Sequence, residues 1–244
     1  MRPIRLLHSG NVGDIVYSLP LAKSFGKVEY YLNISHLMNE KLAKSILPLL
    51  EKQPYIEKVK LYNAKTDKYD WNLDIFRQIH AMDIVQLTLA HLIKFNCYYN
   101  LAEPYIHNIE PNYVADIIIN RTMRYWGDLD YLNYWEILEK YGDRAIFIGY
   151  EKEYELFRSK FDRKKKLEYY KTEDFLEVAQ IIKGSKVFIG NQSCCFAIAE
   201  AMKTPRILEI CREVPNCIPI GGIAYTSWER DLMEKLDKLL NETS

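Results

Sequence analysis

Twice in this chain a short, largely apolar run passes directly into a polar, glycine-bearing loop and then into a helical pattern. The first stretch is "PIRLLHSGNVGDIVYSLPLAKSFG", residues 3–26, and the second is "KVFIGNQSCCFAIAEAMKTPRILEI", residues 186–210. Strands buried on both faces read as continuous apolar runs, and parallel neighbours need a crossover between them, usually a helix. Strand, loop, helix and strand in succession therefore predict an α/β protein built on parallel sheets.

The same rhythm runs through the rest of the sequence. "IRLL", "VEYYLNI", "IEKVKLYN" and "WNLDIF" read as strands. Helical patterns cover Asp14 to Phe25, Glu40 to Leu50 and Asp83 to Phe95. In the first helix Ile15, Val16, Leu19, Ala22 and Phe25 share a face, and Pro20 implies either a kink or a late start with proline in the first turn. "NLAEPYIHNIEPNY" has two prolines and no period, and marks a seam between residues 1–112 and 113–244. Beyond it "VADIIINRT", "RAIFIG", Val187 to Ile189 and Ile207 to Ile210 read as strands. Helices are expected in "DYLNYWEILEKYG", with Gly142 as a left-handed cap, and in "TEDFLEVAQIIKG", with Thr172 as N-cap. A small-residue helix follows "GNQS" to about Met202, and "SWERDLMEKLDKLL" is an amphipathic C-terminal helix.

Composition narrows the function classes. Lys+Arg 33 balances Asp+Glu 33, so no overall field draws the chain to nucleic acid or anionic lipid. The run "RKKK" at residues 163–166 reads as a solvated helix end or loop. No apolar run approaches the ~20 residues that cross a bilayer. The opening "MRPIRLLHSG" lacks a signal-peptide pattern, and Cys97, Cys194, Cys195, Cys211 and Cys217 form no CxxC pair. The expectation is a cytoplasmic protein with reduced thiols.

In open α/β sheets ligands bind where loops leave the carboxyl ends of strands. "SGNVGD" and "GNQS" both fall there. The helix beyond "GNQS" offers unpaired N–H groups that suit a phosphate, and Gln192 and Ser193 add donors. A third loop, "NRTMRYWG", puts Arg121, Thr122 and Arg124 at the same rim, where guanidinium forks suit a diphosphate, although Arg121 also has Asp116 and Asp128 within its sequence neighbourhood. Neither glycine loop is a Walker P-loop or a GxGxxG fingerprint. Asp14 is either a catalytic carboxylate or a helix cap worth about 1 kcal/mol. His8 reads as a hydrogen-bonded histidine at the core edge. The Cys194–Cys195 pair starts a helix, where thiolates are stabilised, but has no identifiable histidine–acid partner to make it a nucleophile. "DLD" at Asp128 to Asp130 is the nearest approach to a magnesium-binding pair and reads as a cap, so no metal is expected.

Taken together, these stretches resemble the glycosyltransferases of the ADP-heptose lipopolysaccharide heptosyltransferase type, glycosyltransferase family 9. "NVGDIVYSLPLAKSFG" resembles their N-terminal "GD…P" motif, and "GNQSCCFAIAEAMKTP" their second motif. "YDWNLDIF" and "IIINRTMRYW" match in order and spacing between them. The resemblance implies the GT-B architecture, two Rossmann-like domains facing each other across a cleft, with an acceptor-side domain at 1–112 and a nucleotide-sugar domain at 113–244. It implies a glycosyltransferase using a nucleotide-diphosphate sugar and an acceptor hydroxyl on a glycan, lipid-linked sugar or other molecule, with no further cofactor. Asp14 would be the general base. The donor side would take in Gly13, Arg121, Thr122, Arg124, Asn191, Gln192, Ser193 and Glu200, the last as a ribose ligand. The family's Asp-Thr-Gly and following histidine read Gln192, Ser193, Cys194 and Ala197 here.

On that reading a base on one face of the sugar and positive charge on the departing phosphates give inversion without a metal. Two other classes fit the same sequence. One is a GT-B-like protein that binds a nucleotide or glycan without turnover. The other is a sugar-nucleotide epimerase of the same architecture.

Overall fold

A computed structural model describes residues 2–80, 83–125, 132–162, 164 and 166–241. It contains two parallel sheets. The first half contributes β1 (Ile4–His8), α1 (Val12–Ser24), β2 (Val28–Leu32), α2 (Glu40–Glu51), β3 (Ile56–Leu61), β4 (Trp71–Asn72) and α3 (Leu87–Lys94), with strand order β3-β2-β1-β4. The second contributes β5 (Ile117–Asn120), α4 (Tyr134–Tyr141), β6 (Ala145–Ile148), α5 (Glu151–Phe161), β7 (Glu168–Tyr170), α6 (Phe175–Gly184), β8 (Val187–Asn191), α7 (Cys194–Met202), β9 (Arg206–Glu209), β10 (Ala224–Thr226) and α8 (Leu232–Asn241). Its order is β10-β9-β8-β5-β6-β7. β1 pairs in parallel with β2 and β4, and β5 with β6 and β8, so both lie inside their sheets.

The halves meet helix on helix, α1 against α7 and α2 against α6. Hence α1 is buried along most of its length, with Ile15, Val16, Leu19 and Leu21 all inaccessible. Each such side chain contributes about 1.5–3 kcal/mol on burial. One apolar cluster runs from Leu6 and Ile15 through the interface to Phe188 and Ile198. The seam is not a free linker. Tyr105 N–H donates to Ala201 O at 2.9 Å, Asn112 N–H to Gln180 O at 2.9 Å, and Tyr55 Oη–H to Tyr105 O at 2.6 Å.

Several local expectations change. α1 starts at Val12 with Pro20 inside it, which excludes the late start. "WNLDIF" is a strand only at Trp71 and Asn72. The Asn72 side chain accepts from Asp74 N–H at 2.9 Å and turns the chain into a 3-10 turn, Leu73–Gln78. α3 begins at Leu87 behind Gln86, not at Asp83. Gly142 is right-handed, at φ −56°, and opens a short 3-10 turn. Asp174, not Thr172, caps α6 by accepting from Glu177 N–H at 2.9 Å. α5, β7 and β10 had no counterpart in the sequence reading. In the "RKKK" run, Lys164 pairs with Glu139 and Lys166 with Asp143, while residues 163 and 165 and the "DLD" segment lie outside the described residues. No described helix is long and apolar enough to cross a membrane.

Candidate functional site

An open pocket of about 1140 Å³ lies at the carboxyl ends of the strands of both sheets. Residues 11–14 after β1 line it on one side. On the other are Asn120 and residues 122–125 after β5, the Gly149–Glu153 turn after β6, residues 171–175 after β7, and residues 192–195 after β8. The N-termini of α1 and α7 abut in its floor. A Cβ on Gly13 would stand 3.8 Å from the Cys194 Cα, so two helix ends, both of positive partial charge, open on the same space.

Asp14 is the third residue of α1, and its side chain does two things at once. Oδ2 accepts from Asn11 N–H at 3.1 Å, closing the first turn, and from Arg77 Nη2 at 2.5 Å. Oδ1 takes no hydrogen bond among the described residues, and Asp14 lines the pocket. A carboxylate held by one oxygen with the other open is the arrangement a general base requires. Capping and catalysis are therefore compatible at this position. Gly10 makes room for it: a Cβ there would lie 2.7 Å from His8 Cε1 and 2.8 Å from Asp14 Oδ2.

Behind Asp14 lies a buried polar knot. Asp74 accepts from Ser9 N–H at 3.0 Å and from Ser9 Oγ at 2.5 Å, and its Oδ1 lies 3.0 Å from His8 Nδ1. Burial alone raises the Asp74 carboxyl, but the hydrogen bonds and charge of His8 together with Ser9 hold it well below the usual carboxylate range. His8 is fully buried, as expected of a core-edge histidine, with no place in the pocket wall. His91 stacks on Phe76 at 3.9 Å between ring centroids, is fully buried, and donates from Nδ1 to Leu87 O at 2.8 Å.

Burial first, then the charge of His8 and Arg77, push the His91 imidazole well below its ordinary value. Unfolded, this ring takes a proton near pH ~6.5; folded, it stays neutral at that pH. The unfolded state thus binds more protons, so the contribution is complete above about pH 6.5 and lost as pH falls, by about 1.4 kcal/mol per unit. Asp74 adds its own loss only below about pH 4. Urea midpoints are expected to fall between pH 7 and 5, and His91→Phe to flatten that slope. An equal slope in the variant would remove His91 as the cause.

The residues expected to hold a donor divide in two. Gly13, Thr122, Arg124, Gln192 and Ser193 line the pocket. Arg121, Asn191 and Glu200 do not. Arg121 is buried and forms a two-pronged pair with Glu209, Nε at 2.7 Å and Nη2 at 2.6 Å; of the two partners considered above, Asp116 pairs with Arg144, and Asp128 lies outside the described residues. Glu200 is buried against Arg206 Nε at 2.6 Å and Lys203 Nζ at 2.6 Å, too far inside to meet a ribose. Asn191 shapes the neighbouring loop, accepting from Thr122 N–H at 3.0 Å and donating to Arg124 O at 2.9 Å.

Even within the pocket some groups are already satisfied. Gln192 donates to Val214 O at 2.7 Å and accepts from Cys211 N–H at 2.7 Å, which staples the 211–217 loop. Ser193 caps α7, accepting from Phe196 N–H at 3.2 Å and donating to Asn120 Oδ1 at 2.7 Å. Arg124 is exposed; its guanidinium donates to Tyr125 Oη at 3.0 Å and lies 4.9 Å from that ring's centroid. The Cys194 thiol is lowered by a hydrogen bond from Cys195 and then raised in part by burial; no histidine–acid partner adjoins it among the described residues.

Sequence reading missed three contributors. Arg77 reaches the pocket from the 3-10 turn. Glu153, whose carboxyl is raised by burial, and Lys171 face the second half's side of it. No group of three or more described His, Cys, Asp or Glu side chains is arranged to hold a metal ion.

No protein-family model matches this chain. No curated protein matches it either. Solved structures do match in fold. A glycosyl transferase family 9 protein from Veillonella parvula aligns over 98% of this chain and 90% of its own, with a TM-score of 0.61 and 11% identity. The E. coli heptosyltransferase WaaC with ADP aligns over 97% and 100%, with a TM-score of 0.58 and 11% identity. S. aureus MnaA with UDP aligns over 99% and 89%, at 0.50 and 11%. The α/β fold with two parallel sheets is thus the fold of family 9 glycosyltransferases.

Proposed function

We propose that this chain is a glycosyltransferase that moves a sugar from a nucleotide-diphosphate donor to an acceptor hydroxyl, with inversion and without a metal ion, across a cleft between two Rossmann-like halves. The observation that carries it is Asp14, with Oδ2 held and Oδ1 without a hydrogen bond among the described residues, lining a pocket that the N-terminus of α7 also lines. Asp14 Oδ1 takes the acceptor proton as the acceptor oxygen attacks the anomeric carbon. The bond to the donor phosphate breaks on the opposite face. Arg124 and the N–H groups opening α7 stabilise the charge that develops on the leaving diphosphate, the role that a metal fills elsewhere. Folds of family 9 proteins, one of them solved with ADP, support this reading by likeness.

Binding without turnover is the second reading, favoured by one fact: the Gln192 amide is already engaged by the 211–217 loop. Thermal unfolding with UDP, GDP, ADP, TDP and CMP tests the donor site common to both. A nucleotide at a hundred times its Kd is expected to stabilise by about 2.7 kcal/mol, and Arg124→Ala to abolish most of the shift. No shift from any of them would overturn the assignment of this pocket to a nucleotide.

A further inference from the structure

We propose that Arg77 is a positioning residue for Asp14, fixing which of its two oxygens faces the substrate; this rests on the reading of Asp14 as the base. The hydrogen bonds to Asp14 from Asn11 N–H and Arg77 Nη2 both fall on Oδ2. A backbone donor alone fixes one oxygen by one bond, and the carboxylate still pivots about it. The guanidinium, approaching from a separate element 63 residues away, closes that freedom.

Arg77 is itself held. Its guanidinium lies over the Phe76 ring, 4.7 Å from the centroid, and Phe76 is buried against His91. Nη1 lies 3.8 Å from Asp74 Oδ1, and Asp74 is tied to Ser9 and His8 at the end of β1. The chain of contacts therefore begins and ends on the β1–α1 loop: His8 and Ser9 anchor Asp74, the turn carries Arg77, and Arg77 returns to Asp14. A planar fork that stacks on one ring, bonds one carboxylate and lies beside a second is a task for arginine; a lysine ammonium supplies the charge without the stacking geometry.

The test separates orientation from chemistry. Side-chain couplings of Asp14 in isotope-labelled protein report its χ1 for the wild type, Arg77→Gln and Arg77→Lys, with no ligand needed. Arg77→Gln is expected to average the Asp14 rotamer, and Arg77→Lys to restore it in part. UDP- and ADP-induced stabilisation is expected to be the same in all three. In turnover of the UDP-, GDP-, ADP- and TDP-sugars, Arg77→Gln is expected to cost on the order of 10²-fold, the scale of a misplaced reacting group. In an Asp14→Asn background it is expected to cost nothing further, since it acts through Asp14. An unchanged Asp14 rotamer in Arg77→Gln, or full additivity with Asp14→Asn, would overturn the proposal. An averaged rotamer alongside an Asp14→Asn enzyme of undiminished rate would uphold the clamp and discard the base.

Discussion

Asp14→Asn is expected to lower turnover by about 10²–10⁴-fold, the usual contribution of a positioned general base, while nucleotide-induced stabilisation stays at its wild-type size. The substitution is nearly isosteric. Asparagine retains an acceptor oxygen for Asn11 N–H and for Arg77, so the first turn of α1 keeps its cap. What is lost is the lone pair of an ionised oxygen at the mouth of the pocket. A fall in rate with no fall in melting temperature would separate the proposed role of Asp14 as base from its role as cap. A protein that binds nucleotide as before and never turned over would instead support the binder. A rate unchanged by the substitution would move the base elsewhere in the pocket, with Glu153, raised by burial, the next carboxyl to test.

The sequence showed the parts of this site that local chemistry determines. β8 opens on a continuous apolar run because it is buried on both faces, and β1 is apolar apart from the half-buried Arg5 until it ends at His8; the polar loops begin where these strands end. Asp14 was legible as a residue with two candidate roles. That the two are compatible follows only from seeing that both partners take the same oxygen. Arg77 left no local signal. It arrives through a 3-10 turn that Asn72 initiates inside a stretch with strand-like apolar spacing, and its partner is 63 residues away. α5 was readable and was missed: Tyr154, Phe157 and Phe161, three and four residues apart, all face the core. β10 is a three-residue edge strand, too short for any period to appear.

Arg121 illustrates how one residue of parity decides a role. Asn120 and Thr122 face the pocket, and successive side chains of an extended chain point to opposite sides, so the arginine between them turns inward to Glu209, 88 residues away at the end of β9. Arg121→Ala is therefore expected to act on stability and not on donor affinity. It leaves the Glu209 carboxylate buried opposite a gap, and breaking a buried pair from one side costs about 3–5 kcal/mol. For a chain of this length that is a fall in melting temperature of roughly 6–20 °C. Nucleotide binding by the fraction still folded is expected to be unchanged, in contrast to Arg124→Ala. Replacing both partners with apolar groups of similar volume, Arg121→Met with Glu209→Leu, is expected to recover most of the loss, because the desolvation of two charges is removed along with their attraction. A variant that melts near the wild-type temperature and no longer responds to nucleotide would return Arg121 to the donor site and make the Glu209 pair a resting contact that the diphosphate displaces.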